Sequence, residues 1–215
     1  MKKCACDYDK FPCSLPVHSL CKPCLPCYTK KNTTCKEGFY MDTGLIHIYC
    51  GDGKGKTTAS LGLTIRCAGR GGRVLFTQFL KDMETGELAS LARIPGITVI
   101  RGKGFKKFTF QMTPDELAEA KKIQTRMFDE IVDKVRKDTP DMLVLDEILV
   151  TCSLGLLDEE KVLQFLRTKP EKLEVVMTGR NPSQALIDMA DYVSEICKRK
   201  HPFDKGIGAR IGIEE

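Results

Sequence analysis

Leu45-Ile46-His47-Ile48-Tyr49-Cys50-Gly51-Asp52-Gly53-Lys54-Gly55-Lys56-Thr57-Thr58 is an apolar run that breaks into three closely spaced glycines and then enters a helical pattern. Closely spaced glycines let a backbone turn tightly and aim its N–H groups inward, and a helix that follows adds the positive end of its dipole. Such a loop wraps a chain of phosphates, so the protein is expected to bind a nucleotide. The usual spelling is Gly-x-x-x-x-Gly-Lys-Ser/Thr. Gly55-Lys56-Thr57 satisfies its second half, while Cys50 stands where its first glycine would be. In this variant loop Lys56 is expected on phosphate oxygens and Thr57 on Mg²⁺, with Lys54 and Thr58 adding a charge and a donor. Gly51, Asp52, Gly53 and Gly55 complete the wrap. An ordinary glycine turn followed by two solvated lysines is the plainer alternative, and the strand and helix on either side weigh against it.

Outward from the loop, strands and helices alternate. Leu45 to Cys50 reads as a strand, Lys56 to about Ala68 as a helix, and Arg70-Gly71-Gly72 as its stop. Further strands are expected at Arg73 to Phe79, Ile97 to Ile100, Met142 to Leu145, Leu173 to Thr178 and Tyr192 to Ile196. Thr113-Pro114-Asp115-Glu116 combines an N-cap, a proline at the first helical position and a capping-box glutamate. Leu117, Ala120, Ile123, Met127, Phe128, Ile131 and Val135 then form one buried helical stripe. Asn181-Pro182-Ser183-Gln184 reads as a second capping box. The pattern predicts an α/β fold of the P-loop NTPase (RecA-like) type, a mostly parallel sheet with helices on both faces and ligands at the carboxyl ends of its strands. The strand Met142-Leu143-Val144-Leu145 ends in Asp146-Glu147, which places Asp146 beside Thr57, where a carboxylate holds Mg²⁺. Glu147 is expected to polarise a ligand of the ion or to orient substrate.

Composition narrows the class. A chain of 215 residues buries about 70% of its unfolded surface, enough for a core without disulfides. Its 34 basic and 29 acidic side chains leave a net charge of only +5, a mixed surface and not the basic stripe of a nucleic-acid binder. No apolar run approaches the ~20 residues that span a bilayer. The start Met1-Lys2-Lys3-Cys4-Ala5-Cys6 lacks the apolar stretch of a signal peptide, so a cytoplasmic address is expected, with no membrane and no nucleic acid as partners.

Cysteines divide the chain into a Cys-rich segment, 1–42, and a P-loop domain, 43–215. Seven of the 11 cysteines precede residue 36: Cys4, Cys6, Cys13, Cys21, Cys24, Cys27 and Cys35. Pro12, Pro16, Pro23 and Pro26 argue against a long helix there, and the large apolar side chains are too few for a core. Cys21-x-x-Cys24-x-x-Cys27 lets three thiolates face one metal or cluster, with Cys13, Cys35 or His18 as a fourth ligand. Two occupants compete. The close triple favours an iron–sulfur cluster of the four-iron kind, although Lys31 stands where a ferredoxin run has its next cysteine. Zinc (Zn²⁺) needs only four ligands, and a disulfide-rich or disordered tail is the third possibility.

Gly51 to Thr58, Gln78-Phe79-Leu80-Lys81 with Gly86-Glu87, Leu145-Asp146-Glu147, Thr178-Gly179-Arg180 and the ending Lys200-His201-Pro202-Phe203-Asp204-Lys205-Gly206-Ile207-Gly208-Ala209-Arg210-Ile211-Gly212-Ile213-Glu214 resemble the ATP:corrinoid adenosyltransferases of cobalamin biosynthesis. The likeness covers roughly residues 43 to 215, and the ending taken with the loop makes it specific. It also accounts for Cys50, since the family's compact loop lacks the first glycine.

The resemblance implies that a corrinoid reduced to Co(I) attacks the 5′ carbon of ATP, the whole triphosphate leaves, and a cobalt–carbon bond forms. Catalytic roles then fall to Lys56, Thr57, Asp146 and Glu147. It also implies that ATP lies reversed in the loop, exposing the ribose carbon, and that Arg180 and the His201 to Arg210 segment line the site. The family displaces the lower axial ligand of cobalt with aromatics in a Gly-Phe-x-Trp pattern. Gly104-Phe105 matches its start, Lys107 replaces the tryptophan, and Phe108 is a substitute candidate; packing of these aromatics against the sheet is the alternative. Lys103, Lys106 and Lys107 either meet corrinoid side-chain groups or are solvated. Expected partners are the corrinoid substrate, an electron-donating reductase or flavodoxin, and a second copy in a homodimer. An N-terminal cluster would relay the electron. A P-loop ATPase or kinase, and an ATP-regulated corrinoid- or metal-binding protein without turnover, are the competing functions.

Overall fold

The computed structural model describes residues 42–81, 85–102 and 109–214. β1 (Ile46–Cys50) runs into the glycine loop and α1 (Lys56–Gly69), which stops where Gly71 takes a positive φ of 89° and donates its N–H to Ala68. There follow β2 (Val74–Gln78), α2 (Gly86–Leu91), β3 (Ile97–Arg101), α3 (Pro114–Lys137), β4 (Met142–Asp146), α4 (Ile148–Ser153), α5 (Glu159–Arg167), β5 (Glu174–Thr178), α6 (Gln184–Met189) and β6 (Tyr192–Glu195). Among the described residues the strands form one six-stranded sheet in the order β3-β2-β4-β5-β1-β6, and each pairing is parallel. β2 and β4 are buried at every residue. Their apolar runs, Val74 to Phe76 and Met142 to Leu145, are what a parallel strand covered on both faces requires.

Alternation along the strands divides the core into two layers. Leu75, Leu143, Leu145, Val175 and Met177 pack with Met127, Phe128, Ile131 and Val135 of α3 and with Val162, Leu163, Phe165 and Leu166 of α5. Phe128 meets Phe165 edge-on, with ring centres 6.1 Å apart. Val74, Phe76, Val144 and Val176 point the other way, into a layer with Cys67 and Ala68 of α1 and Leu91 of α2.

α3 begins as its sequence predicts. The Thr113 hydroxyl accepts from the Glu116 N–H, and the Glu116 carboxylate accepts from the Thr113 N–H at 2.8 Å. The second capping box does not form. Asn181 takes a left-handed φ of 51°, the helix starts three residues later, and Ser183 caps it by accepting from Leu186, a side chain that cannot reach back. α2 and α4 escape periodicity because each is only six residues long, too short for an apolar stripe to repeat.

Candidate active site

Two kinds of glycine shape the phosphate loop. A Cβ on Gly51 would lie 2.5 Å from the Ile196 carbonyl oxygen, and one on Gly53 2.7 Å from it. The loop is laced to the segment after β6, with Gly53 N–H donating to Ile196 at 2.7 Å and Ile196 N–H donating to Cys50 at 2.8 Å. These glycines therefore serve close approach of the loop to that segment. A Cβ on Gly55 would meet only the Ile196 Cδ1 at 4.0 Å, so its φ of 125° is what demands glycine there. Cys50 needs no such freedom, because it is the last residue of β1 and is paired with Glu195. Lys56 is buried and folds back so that its ammonium donates to the Gly53 carbonyl at 2.8 Å, inside the curl of the loop. Burial, and next the charge of Arg180, push its pKa below the ordinary lysine value.

Opposite the loop, the carboxyl ends of β2, β4 and β5 converge on one buried acid. Asp146 has no exposed surface. Its Oδ1 accepts from the Thr57 hydroxyl at 2.9 Å and from the Thr178 hydroxyl at 2.7 Å. Its Oδ2 accepts from the Lys81 ammonium at 2.7 Å, with the Gln78 amide at 3.5 Å. Sheet register explains the convergence, since Gln78 pairs with Asp146 across β2 and β4, and Thr178 ends the next strand. The expected Thr57–Asp146 juxtaposition is present. Gln78 and Thr178 are polar residues closing apolar strands, a signal the sequence carries; Lys81, three residues beyond β2, has no such mark.

Glu147 lies just beyond β4 with a left-handed φ of 64°, held by its N–H donating to the Thr178 hydroxyl at 2.9 Å. Burial, followed by the charge of Asp146, raises its carboxyl pKa above the ordinary value. Arg180 is exposed, and its charge is felt at Asp52, Lys56 and Glu147. The chain's ending comes to the same loop. Asp52 accepts from the Lys198 N–H at 2.8 Å, and the Lys54 ammonium donates to the Ile213 carbonyl at 3.0 Å. Glu214 is held down to about 2 by hydrogen bonds from Arg210. Thr58 is exposed on the first turn of α1.

The donor set fits Mg²⁺. Thr57 and Asp146 supply hard oxygens, and the buried Gln78 Oε1 beside them has no hydrogen-bond partner. Mg²⁺ keeps much of its water and takes only one or two carboxylates from a protein, so the lack of a group of three or more His, Cys, Asp or Glu among the described residues does not disfavour it. Phe105 and Phe108, and the cysteines Cys13, Cys21, Cys24, Cys27 and Cys35, lie outside the described residues. Among the described residues no helix is long and apolar enough to cross a membrane.

A glycine loop between β1 and α1, with a buried aspartate closing the apolar strand β4 of the same sheet, defines a P-loop α/β nucleotide-binding protein. Residues 42–214 match the sequence profile of the ATP:corrinoid adenosyltransferases BtuR/CobO/CobP, and the chain belongs to that family. Its relatives include the corrinoid adenosyltransferase of Escherichia coli (strain K12), 32% identical over 174 residues that cover 80% of this chain and 86% of the relative. The corrinoid adenosyltransferase from Sinorhizobium sp is 35% identical over 178 residues, with coverage of 80% and 81%. Corrinoid adenosyltransferase CobA of Salmonella typhimurium is 33% identical over 176 residues, with coverage of 80% and 86%. Among solved structures, the cytoplasmic domain of EssC is a loose likeness, with 17% identity and a TM-score of 0.46, covering 82% of this chain and 38% of that one.

Proposed function

We propose that this protein transfers the 5′-deoxyadenosyl group of ATP to the Co(I) centre of a corrinoid, releasing triphosphate, in cobalamin biosynthesis or salvage. The observation that carries this reading is the family match, which runs unbroken through the loop, the strand-end acids and the ending. The cobalt electron pair forms the bond to the ribose 5′ carbon, the carbon–oxygen bond breaks, and its pair leaves on the triphosphate. Co(I) brings its own electrons, so no side chain has to remove a proton.

The protein's task is alignment and charge. Lys56, Lys54, Thr58, Arg180 and the amides of Gly51 to Gly55 surround the triphosphate and stabilise the charge it gains on leaving. Thr57 and Asp146 would hold Mg²⁺, which when bound supplies further charge neutralisation at the departing phosphates. Glu147 orients the nucleotide or a ligand of the ion. Phe105, with Phe108 in place of the missing tryptophan, displaces the lower axial ligand of the corrinoid. The N-terminal Cys21-x-x-Cys24-x-x-Cys27 triple, with Cys13 or Cys35, suits an iron–sulfur cluster or zinc by its thiolate spacing. Iron and sulfide in anaerobically purified protein would support the cluster, and stoichiometric zinc without iron would remove it. A homodimer and a reductase or flavodoxin donor complete the proposal.

Anaerobic incubation with ATP and chemically reduced corrinoid tests the reading. A spectrum that reverts on illumination, as a cobalt–carbon bond does, supports it. Corrinoid binding with no light-sensitive product would make the protein an ATP-regulated carrier instead.

A further inference from the structure

Lys81 sits where a cation belongs. Its ammonium lies 2.7 Å from Asp146 Oδ2 and 3.4 Å from Thr57 Oγ1. Thr57 gives its hydroxyl proton to Asp146 Oδ1 and turns a lone pair toward Lys81. That is the polarity the same hydroxyl would adopt toward a divalent ion. The two oxygens offered to Lys81 are the two that Mg²⁺ would take.

Three further features set Lys81 apart from an ordinary ion-pair lysine. Its partner Asp146 is wholly buried, whereas its own side chain is 27% exposed, so the acid needs a counter-charge while the lysine can withdraw into water at little desolvation cost. Leu80, immediately before it, holds a left-handed φ of 60°, a conformation that costs a bulky residue energy and persists only where the surroundings enforce it. That turn carries the chain off β2 and lets Lys81 double back over the strand ends. Finally, the buried Gln78 Oε1 lies beside the pair without a protein donor, an acceptor that the water shell of a bound ion would satisfy and that Lys81 does not.

We propose that Lys81 is a built-in counter-cation that occupies the metal seat before nucleotide arrives and yields it to Mg²⁺. This rests on the reading of Thr57 and Asp146 as that seat. An ammonium and a divalent ion a few ångströms apart repel strongly in a partly buried site, so the two exchange and do not share it. The nucleotide-free protein consequently holds divalent ions weakly. The triphosphate supplies the negative charge that makes the exchange favourable, and the freed ammonium can pair with its oxygens. Lys81 is thus a positioning residue that ties metal entry to ATP entry and keeps Asp146 compensated between turnovers.

Mn²⁺, titrated into nucleotide-free protein and followed by electron paramagnetic resonance, reads the exchange without any turnover. Lys81→Met should bind Mn²⁺ about tenfold or more tightly than the wild type, since the competing charge is gone. Adding Asp146→Asn to Lys81→Met should abolish the gain. Lys81→Met should also melt lower than the wild type in chelator and recover with Mn²⁺, which a merely structural lysine would not produce. Lys81→Gln, which keeps a donor for Asp146, carries the same titration if the methionine variant does not fold. Equal Mn²⁺ affinity in wild type and Lys81 variants, with the ion still lost on Asp146→Asn in the presence of ATP, would overturn the inference and leave the seat standing. Mn²⁺·ATP binding indifferent to Asp146→Asn would overturn the seat itself.

Discussion

Lys56 and Glu147 are the two charged site residues whose ordinary charge is disfavoured chiefly by burial. Lys56 is folded into the loop with its ammonium on Gly53, so its replacement by alanine removes charge from the place where the leaving group gains it. Lys56→Ala is expected to slow transfer about a hundredfold or more, as losses of single charge-stabilising donors do, with an unchanged circular dichroism spectrum; full activity would remove the assigned role. Glu147 has its carboxyl pKa raised above the ordinary glutamate value, chiefly by burial. The fold therefore prefers its neutral form, and the stability it contributes is fully present below that unfolded value and fades as pH climbs through the raised folded one. Glu147→Gln should flatten that decline and unfold at higher denaturant than the wild type at neutral pH, as denaturant titrations at several pH values would read. An identical pH profile in the two proteins would contradict the assignment.

At the scale of elements, the loop and the helix after the site respond differently to substitution. Gly53→Ala drives a Cβ to 2.7 Å from the Ile196 carbonyl and 2.9 Å from the Cys197 carbonyl carbon, so the loop or the segment after β6 must move. Overpacking of this kind costs about 1–3 kcal/mol; calorimetry should find both stability and ATP affinity reduced. Thr113→Ala removes the exposed capping box of α3 and should cost about 1 kcal/mol of stability with ATP affinity unchanged. Elements with long patterns or local chemical signals were legible in the sequence: the stripe and cap of α3, the glycine stop of α1, the apolar runs of β2 and β4. α2 and α4 were not, because six residues hold less than two turns of periodicity. The cap of α6 lies two residues beyond its expected place, because Asn181 and Ser183 both have cap chemistry and only the backbone, left-handed at Asn181, decides between them.

Over the whole molecule, the sheet order is what makes one site of distant residues. β1 and β4 lie on either side of β5, so the loop after β1 reaches the acid ending β4 across Thr178, and β2 brings Gln78 and Lys81 from the far side. The pairing of Thr57 with Asp146 was legible from motif logic alone, since the loop after one apolar strand and the acid closing another meet at the carboxyl edge of a parallel sheet. The saturation of Asp146 by Thr178 and Lys81 was not, because it depends on register and on the left-handed turn at Leu80, neither of which leaves a sequence signal. Binding at this junction should stabilise the fold as a unit: at a hundred times its dissociation constant, ATP adds about 2.7 kcal/mol, which a thermal melt would show in the wild type and lose in Lys56→Ala. Adenosyl transfer differs from ATP hydrolysis in which bond of ATP breaks. Phosphorus NMR of an anaerobic reaction with Co(I) corrinoid reads this directly: one intact triphosphate for each corrinoid alkylated is the expected result, and ADP or inorganic phosphate formed at a rate indifferent to corrinoid would contradict it.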